Sequence, residues 1–223
     1  MRRRTRWRFV AAAVCVVVLA TIDAAVAVEY EVVVTNLTRG QAFTPILVAT
    51  HKPGLTLFTL GGAASVELEV LAEGGDTAPL AALLRARPDV LDVTDSGAPL
   101  PAGGSVTVTV RTTAQFDHVS VAAMLVPTND AFFGINGAAG PKDGETLVLF
   151  SPAYDAGTEP NDERCAKIPG PPTICQGEGF NPSRTGAEGF VHIHPGIHGI
   201  GDLVAADRDW RNPVARVAVR RIP

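Results

Sequence analysis

The sequence has few basic residues and no long apolar run beyond its first 27 residues. Once those residues are set aside, 14 Lys and Arg stand against 22 Asp and Glu, a formal net charge of about −8. This deficit of positive charge argues against sequence-independent binding to nucleic acid, which depends on neutralising phosphates. No later stretch supplies the roughly 20 apolar residues that a membrane-spanning helix needs. The remaining length suits one domain with a sizeable core.

The first 27 residues have the order of a secretory signal peptide. Five arginines open the chain, an apolar run follows at residues 9–20, and Ala25-Val26-Ala27 supplies small residues at the expected cleavage site. An uncleaved N-terminal anchor is the alternative, although the run is short for a membrane span. We therefore predict an exported protein, secreted or periplasmic, whose single domain covers residues 28–223.

Cysteine is scarce, and only Cys165 and Cys175 lie outside the predicted signal peptide. In an exported chain, a lone pair this close together in a Pro- and Gly-rich segment predicts one disulfide. A pair of free thiols is the alternative. The bridge would order the irregular segment at residues 160–181, and closing so short a loop stabilises by roughly 2–3 kcal/mol.

Sequence motifs of the common enzyme classes are absent. There is no HExxH motif, no nucleophile elbow and no phosphate-binding glycine loop. The glycine-rich stretch at residues 134–140 does not join a strand to a helix, and we interpret it as a flexible turn between strands. These absences favour a protein that is not an enzyme.

Short strand-like runs separated by turn residues make up most of the chain. Alternating apolar and β-branched residues predict strands at residues 28–37, 43–50, 90–93, 104–112, 118–126, 145–150 and 213–222. Near-helical spacing at residues 60–71 and a capped pattern at residues 77–87 predict one short helical insertion. The order predicts an all-β fold, an antiparallel β-sandwich interrupted by that insertion.

Two of the predicted strands lead into loops that carry carboxylates. The first loop contains Asp130, and the second contains Asp155 and Glu159. If the two strands are neighbours that end at one edge of a sheet, these oxygens come together. Calcium takes about six to eight oxygen ligands, which carboxylates and loop carbonyls supply. Ordinary turn residues are the alternative, because Asp favours turns and no EF-hand pattern is present.

A second candidate metal site is formed by His192, His194 and His198. Residues two apart on a strand point to the same face, so His192 and His194 could share one ion. His198 could return to the same place after the Pro195-Gly196 turn. Three imidazoles with an open position suit zinc or copper. The alternative is that these histidines only bond backbone carbonyls.

Several segments resemble the spondin N-terminal domain, which occurs in F-spondin, in mindin and in exported bacterial proteins. PTNDAFFG at residues 127–134 and DAGTE at residues 155–159 resemble two loop motifs of the family. LAEGGD at residues 71–76 is similar to the core of its helical insert. GFVHIHPGIHG at residues 189–199 and DWRNPVARVAV at residues 209–219 look like the bacterial exported branch.

The resemblance implies a C2-like β-sandwich that binds calcium at one end. Asp130 matches the aspartate of the first loop motif, Asp155 matches the first aspartate of the second, and Glu159 stands at its last aspartate. In the animal proteins the family serves adhesion or matrix binding. The resemblance therefore implies a secreted, calcium-binding adhesion module whose partner is an extracellular protein or glycan.

We expect the loops at residues 127–134 and 155–162 to form the partner-binding surface, with Phe132 and Phe133 among its exposed side chains. The alternative function is a metal-dependent exported enzyme or a metal-binding protein, built on the histidine cluster and loaded with zinc or copper.

Overall fold

The computed structural model describes residues 28–222 as two packed antiparallel β-sheets with three short α-helices. The predicted signal peptide, residues 1–27, lies outside the described residues. The predicted all-β sandwich with a small helical insertion is confirmed. In chain order the elements are β1 (Val28–Asn36), β2 (Ala42–Phe43), β3 (Leu47–His51), α1 (Val66–Gly74), α2 (Ala78–Arg85), β4 (Val90–Asp95), β5 (Ser105–Thr112), β6 (His118–Val126), β7 (Ala131–Ala139), β8 (Thr146–Ser151), β9 (Ala153–Asp155), a 3-10 turn (Cys165–Lys167), β10 (His192–Ile193), α3 (Ala205–Arg208) and β11 (Ala215–Ile222).

The first sheet has four strands in the order β5-β1-β11-β8. Strand β1 alternates in burial, with Tyr30, Val32 and Val34 directed into the core. Its register places Val32 opposite both Val108 and Val219, so three valines meet across the inner face of the sheet. This face packs against the second sheet and forms the main core with it.

The second sheet has the order β10-β9-β7-β6-β3-β4, and β2 also pairs with β6. Strand β6 is buried from Val119 to Val126, as predicted for a central strand that is covered on both faces. Val121 points into the core between the sheets, whereas Ala122 points to the opposite face. A second core therefore exists on the outer side of this sheet.

Helices α1 and α2 cover that outer face. Helix α1 begins after Ser65, whose hydroxyl accepts a hydrogen bond from the Leu68 N–H at 3.2 Å, and it ends at Gly75, which has a φ of +69°. Leu68 and Leu71 are fully buried against the sheet. The predicted helical excursion between strands is confirmed, although it begins at Val66 rather than residue 60. No helix within residues 28–222 is long and apolar enough to span a membrane.

The prediction of a flexible turn at residues 134–140 is wrong, because residues 134–139 belong to strand β7. Most of that stretch pairs with β6 as a strand, because β6 offers an unpaired edge that the short glycine residues can approach closely. A Cβ atom at Gly134 would lie 2.9 Å from the Phe58 ring. The glycine therefore permits close packing inside a sheet rather than a bend between strands.

Phe132 and Phe133 are both fully buried, so the prediction that they form an exposed partner surface is wrong. As neighbours on β7 they point to opposite faces of the sheet. Phe133 packs on Phe43 in the main core, with ring centroids 4.5 Å apart. Phe132 packs on Phe58 in the outer core, with ring centroids 5.1 Å apart. Each ring thus anchors one of the two cores.

The chain crosses from one sheet to the other at Pro152. Strand β8 pairs with β11 at the edge of the first sheet, whereas β9 pairs with β7 in the second. The condition under which the two acidic loops were expected to meet, that β6 and β8 are neighbours in one sheet, is therefore not met. Ser151 fixes the crossing, because its hydroxyl lies 3.0 Å from both the backbone N and the backbone O of Gly134. This crossing delivers the second acidic loop to the same pole as the first.

The predicted disulfide between Cys165 and Cys175 is confirmed. It lies in the long irregular connection between β9 and β10, where Cys175 and the neighbouring Ile168 join the main core. The bridge therefore holds a segment with little regular secondary structure against the sandwich.

Candidate metal centre

Asp130 and Asp155 lie side by side at one pole of the sandwich. Asp130 ends the turn between β6 and β7, and Asp155 is the last residue of β9. The register of these strands places Asp155 opposite Ala131, and the Ala156 N–H donates to the Asp130 carbonyl at 3.2 Å. The two acidic loops thus converge, by way of β9 rather than β8.

The Asp130 carboxylate is fully buried, and only one of its two oxygens accepts hydrogen bonds from the described residues. Its Oδ2 accepts hydrogen bonds from the Thr158 N–H at 2.7 Å, the Glu159 N–H at 3.1 Å and the Thr158 hydroxyl at 3.2 Å. Its Oδ1 is buried and has no hydrogen-bond partner within the described residues. A buried carboxylate oxygen without a partner is costly, so this atom marks a place where a ligand would be favoured.

The Asp155 carboxylate is also fully buried. Its Oδ1 accepts from the Gly157 N–H at 2.7 Å, and its Oδ2 accepts from the Asn161 side-chain amide. Gly157 has a φ of +66°, and a Cβ atom there would lie 2.3 Å from the Phe190 carbonyl oxygen. Only glycine fits that position, which explains the Ala-Gly-Thr sequence that follows Asp155.

No lysine or arginine within residues 28–222 forms an ion pair with either aspartate. Burial and the charge of Asp155 raise the pKa of Asp130 well above its ordinary value. Burial also raises the pKa of Asp155, opposed by the Asn161 and Gly157 hydrogen bonds. Two buried carboxylates that no lysine or arginine of residues 28–222 neutralises fit a hard divalent cation such as calcium, which binds through oxygen.

Within the described part of the chain, no three His, Cys, Asp or Glu side chains lie close enough to hold a metal together. The Asp130–Asp155 pair therefore provides two carboxylates, and a calcium shell would need further oxygens from loop carbonyls or water.

Glu159 lies on the same loop, and its backbone N–H donates to Asp130 while its carboxylate contacts Asn129. Its Oε2 is 3.4 Å from the Asn129 side-chain amide, and the charge that acts on it most strongly is that of Glu73 in α1. Burial, followed by repulsion from Glu73, raises the pKa of Glu159 to about 7. Sequence reasoning missed Glu73, although an acidic residue at the end of a helix that has no basic residue in its last turn is a usable signal.

Replacing Glu159 by glutamine should change how stability depends on pH when calcium is removed by EDTA. The wild-type carboxyl has a raised pKa, so folding favours its protonated form, and this contribution is lost as pH rises from about 4.5 to about 7. The advantage of Glu159→Gln over the wild type in urea unfolding should therefore grow across that range. A constant difference between the two proteins would contradict this electrostatic account.

The three histidines do not converge as a set of metal ligands within the described residues. His194 is buried, and its Nδ1 accepts a hydrogen bond from the Gly196 N–H at 3.0 Å. Burial, followed by repulsion from His192 and His198, lowers the pKa of His194 to about 3, so the ring is neutral. A neutral ring that accepts at Nδ1 carries its proton on Nε2, which therefore has no lone pair for a metal in this arrangement.

The other two histidines lie at the rim of the site. His192 is half-buried, with its Nδ1 3.8 Å from Asp155 Oδ1 and 3.2 Å from the Phe190 carbonyl oxygen. His198 is exposed, and its backbone N–H donates to the Glu163 carboxylate. The Nε2 of His194 is 4.0 Å from Asp155 Oδ2. Two of the three histidines, His192 and His194, thus have a ring nitrogen within 4.0 Å of the Asp155 carboxylate.

The fold and these acidic loops define an all-β sandwich module with a candidate cation site at one pole. Residues 35–160, more than half of the chain, match the family model Spondin_N, and the chain belongs to the spondin N-terminal domain family. The matched range contains both the Leu-Ala-Glu-Gly-Gly-Asp segment and the loop from Asp155 to Glu159. A comparison with curated proteins found no match. Spondin N-terminal domains are extracellular, non-catalytic binding modules.

Proposed function

We propose that this protein is an extracellular calcium-binding module that adheres to a partner through the loops at its acidic pole. The observation that carries the proposal is the buried pair Asp130 and Asp155, to which no lysine or arginine of residues 28–222 is paired and in which Asp130 Oδ1 has no hydrogen bond from those residues. The disulfide between Cys165 and Cys175 and the family's extracellular role support export.

Calcium would neutralise the carboxylates and tie their two loops together. Its ligands in this proposal are Asp130 and Asp155, whose loops converge, and Glu159 on the second of these loops. Thr158 joins the second acidic loop to the first, because its backbone N–H and its hydroxyl both donate to Asp130. The residues of this chain therefore position the second loop against the first even before a cation binds.

The loop surface beside the site carries exposed apolar side chains that suit partner binding. Phe190 is 43% exposed and its backbone lies against Gly157, while Ile193 is 46% exposed on β10, which pairs with β9. These side chains take the role that sequence reasoning gave to the buried Phe132 and Phe133. Ordering the second acidic loop would fix their position, and this couples calcium binding to recognition of an extracellular protein or glycan.

The test is the metal content of the mature protein, purified without a His-tag, with melting curves in calcium, zinc and EDTA. We expect bound calcium and a melting temperature that rises in calcium relative to EDTA, because binding to the folded state stabilises it. Zinc at the same concentration serves as the control.

Zinc or copper in place of calcium, lost on His194→Ala, would instead support the exported metal-binding protein or enzyme built on His192, His194 and His198. Absence of any bound metal, together with identical melting curves in the three media, would contradict the calcium proposal.

A further inference from the structure

A cleft with a volume of about 570 Å³ lies between the β1–β2 connection and α3. One wall is formed by residues 37–39, and the other by residues 205, 206 and 209–211. Sites for small molecules have volumes of about 300–1,000 Å³, so the cleft is large enough for one. Neither Asp130 nor Asp155 lines it, and it is therefore a separate candidate binding site.

The two walls of the cleft are tied together by hydrogen bonds. The Gln41 side-chain amide donates to the Arg208 carbonyl at 2.7 Å, and the Arg208 guanidinium donates to the Gly40 carbonyl at 2.6 Å. On the first wall, the Thr38 N–H donates to the side-chain oxygen of the buried Asn36 at 3.0 Å. These bonds hold both walls in place, so the cleft is formed before any ligand binds.

The lining of the cleft is positively charged, although the chain as a whole is acidic. Its charged side chains are Arg39, Asp209 and Arg211. Asp209 is paired with Arg211 through one oxygen, and its other oxygen accepts from the Ile197 N–H at 3.1 Å. Arg39 is exposed and forms no hydrogen bond or ion pair with any of residues 28–222. The cleft therefore offers one uncompensated guanidinium group, which favours an anionic ligand.

The rest of the lining is largely apolar. Trp210 contributes an indole ring that is 7% exposed, and Leu37 is 43% exposed on the opposite wall. The Trp210 ring also packs on the His194 ring, with centroids 5.1 Å apart, and the His194 Nε2 lies 4.0 Å from Asp155 Oδ2. A ligand with an apolar face beside its anionic group fits this lining, and it would lie next to the acidic pole.

We propose that this cleft binds an acidic saccharide, with Arg39 pairing the carboxylate of a uronic acid. A sugar ring presents C–H groups on its face, which suit Trp210 and Leu37, and polar groups at its edge. A guanidinium group binds a carboxylate through two parallel hydrogen bonds. The choice of a saccharide rests on the extracellular location in the proposed function, whereas the site itself does not depend on calcium.

The first test measures the local charge through Trp210 fluorescence in EDTA. Trp210 is the one tryptophan of the mature chain, because Trp7 lies in the predicted signal peptide. Quenching by iodide and by caesium is expressed relative to free N-acetyltryptophanamide at equal ionic strength. Iodide should quench Trp210 more effectively than caesium by about twofold or more, because Arg39 attracts anions. Arg39→Gln should remove the difference, and equal quenching in the wild type would contradict the positive lining.

The second test is a fluorescence titration of the mature protein with trigalacturonate, again in EDTA. The wild type should show a saturable change at millimolar concentrations, and Arg39→Gln should bind about tenfold more weakly or worse, since it loses a charge-assisted pair. The methyl ester of trigalacturonate keeps the shape of the sugar and loses its charge. It should bind the wild type as weakly as the acid binds Arg39→Gln.

Arg220→Gln is the matched control for Arg39→Gln. It also removes one positive charge, but Arg220 lies at the far end of β11, in an exposed pair with Glu31. Its quenching and its affinity for trigalacturonate should equal those of the wild type. An equal loss in Arg220→Gln and Arg39→Gln would show that only the net charge of the protein matters and would overturn the site.

Three further outcomes would overturn the proposal. Absence of a saturable change with trigalacturonate would exclude the saccharide, and equal affinity for its methyl ester would exclude recognition of the carboxylate. Triglutamate bound as tightly as trigalacturonate would assign the cleft to an acidic protein instead. Because every titration is done in EDTA, these outcomes leave the calcium proposal intact, and that proposal fails separately if the melting curves in calcium and EDTA coincide.

Discussion

Replacing Asp155 by alanine should lower the melting temperature by about 5–10 °C in saturating calcium and leave it almost unchanged in EDTA. A ligand at a hundredfold excess over its Kd stabilises by about 2.7 kcal/mol, which corresponds to this shift in a domain of such size. Without calcium, the loss of the bonds to Gly157 and Asn161 is offset by removal of a buried carboxylate that is paired with no lysine or arginine in the described part of the chain. Differential scanning fluorimetry in both media measures the effect.

The control for Asp155→Ala is Asp207→Ala. Asp207 is exposed in α3, and its side chain makes no hydrogen bond or ion pair within the described residues, so its loss should change neither curve. Equal losses in calcium and EDTA for Asp155→Ala would show that Asp155 is a structural residue and not a calcium ligand.

Replacing Phe133 by alanine should destabilise the protein by about 3–5 kcal/mol in calcium and in EDTA alike, because a fully buried ring leaves a cavity between the sheets. The neighbouring Phe43 ring, with its centroid 4.5 Å away, loses its main aromatic contact. Urea unfolding at equilibrium gives the free energy.

Phe150→Ala is the matched control for Phe133→Ala. Phe150 lies on edge strand β8 and is 57% exposed, so its truncation should change stability by no more than about 0.5 kcal/mol. A comparably small loss for Phe133→Ala would contradict its place in the core and would return it to the partner surface.

The sequence pattern predicts much of the fold because most strands alternate clearly. Strand β6 spans residues 118–126 as predicted, and β1 and β5 agree with their predicted bounds to within one residue. Strand β7 could not be predicted in this way, because its glycine-rich second half has the composition of a turn. It forms a strand because it pairs with β6, a contact that the local sequence does not report.

The candidate site was predictable in part. Asp130 and Asp155 each come shortly after a strand that the local sequence predicts, at residues 118–126 and 145–150. The crossing at Pro152, which brings Asp155 to Asp130, depends on contacts between Ser151 and Gly134 that are distant in sequence. The repulsion that Glu73 exerts on Glu159 acts between a helix and a loop more than eighty residues later, and no spacing rule predicts it.

The acidic pole and the outer ends of β1 and β11 lie at opposite poles of the sandwich. Glu29 pairs with Ile222, so the two strand ends leave the domain side by side, and the Tyr30 hydroxyl bonds the Asp117 carbonyl beside the start of β6. Strand β6 then runs for nine residues, roughly 30 Å, before the turn that holds Asp130. A tether fixed at either end would therefore leave the acidic loops free to meet a surface. Tension between the two ends would peel β1 from β11 one pair at a time instead of shearing the whole ladder, so the domain should yield at low force.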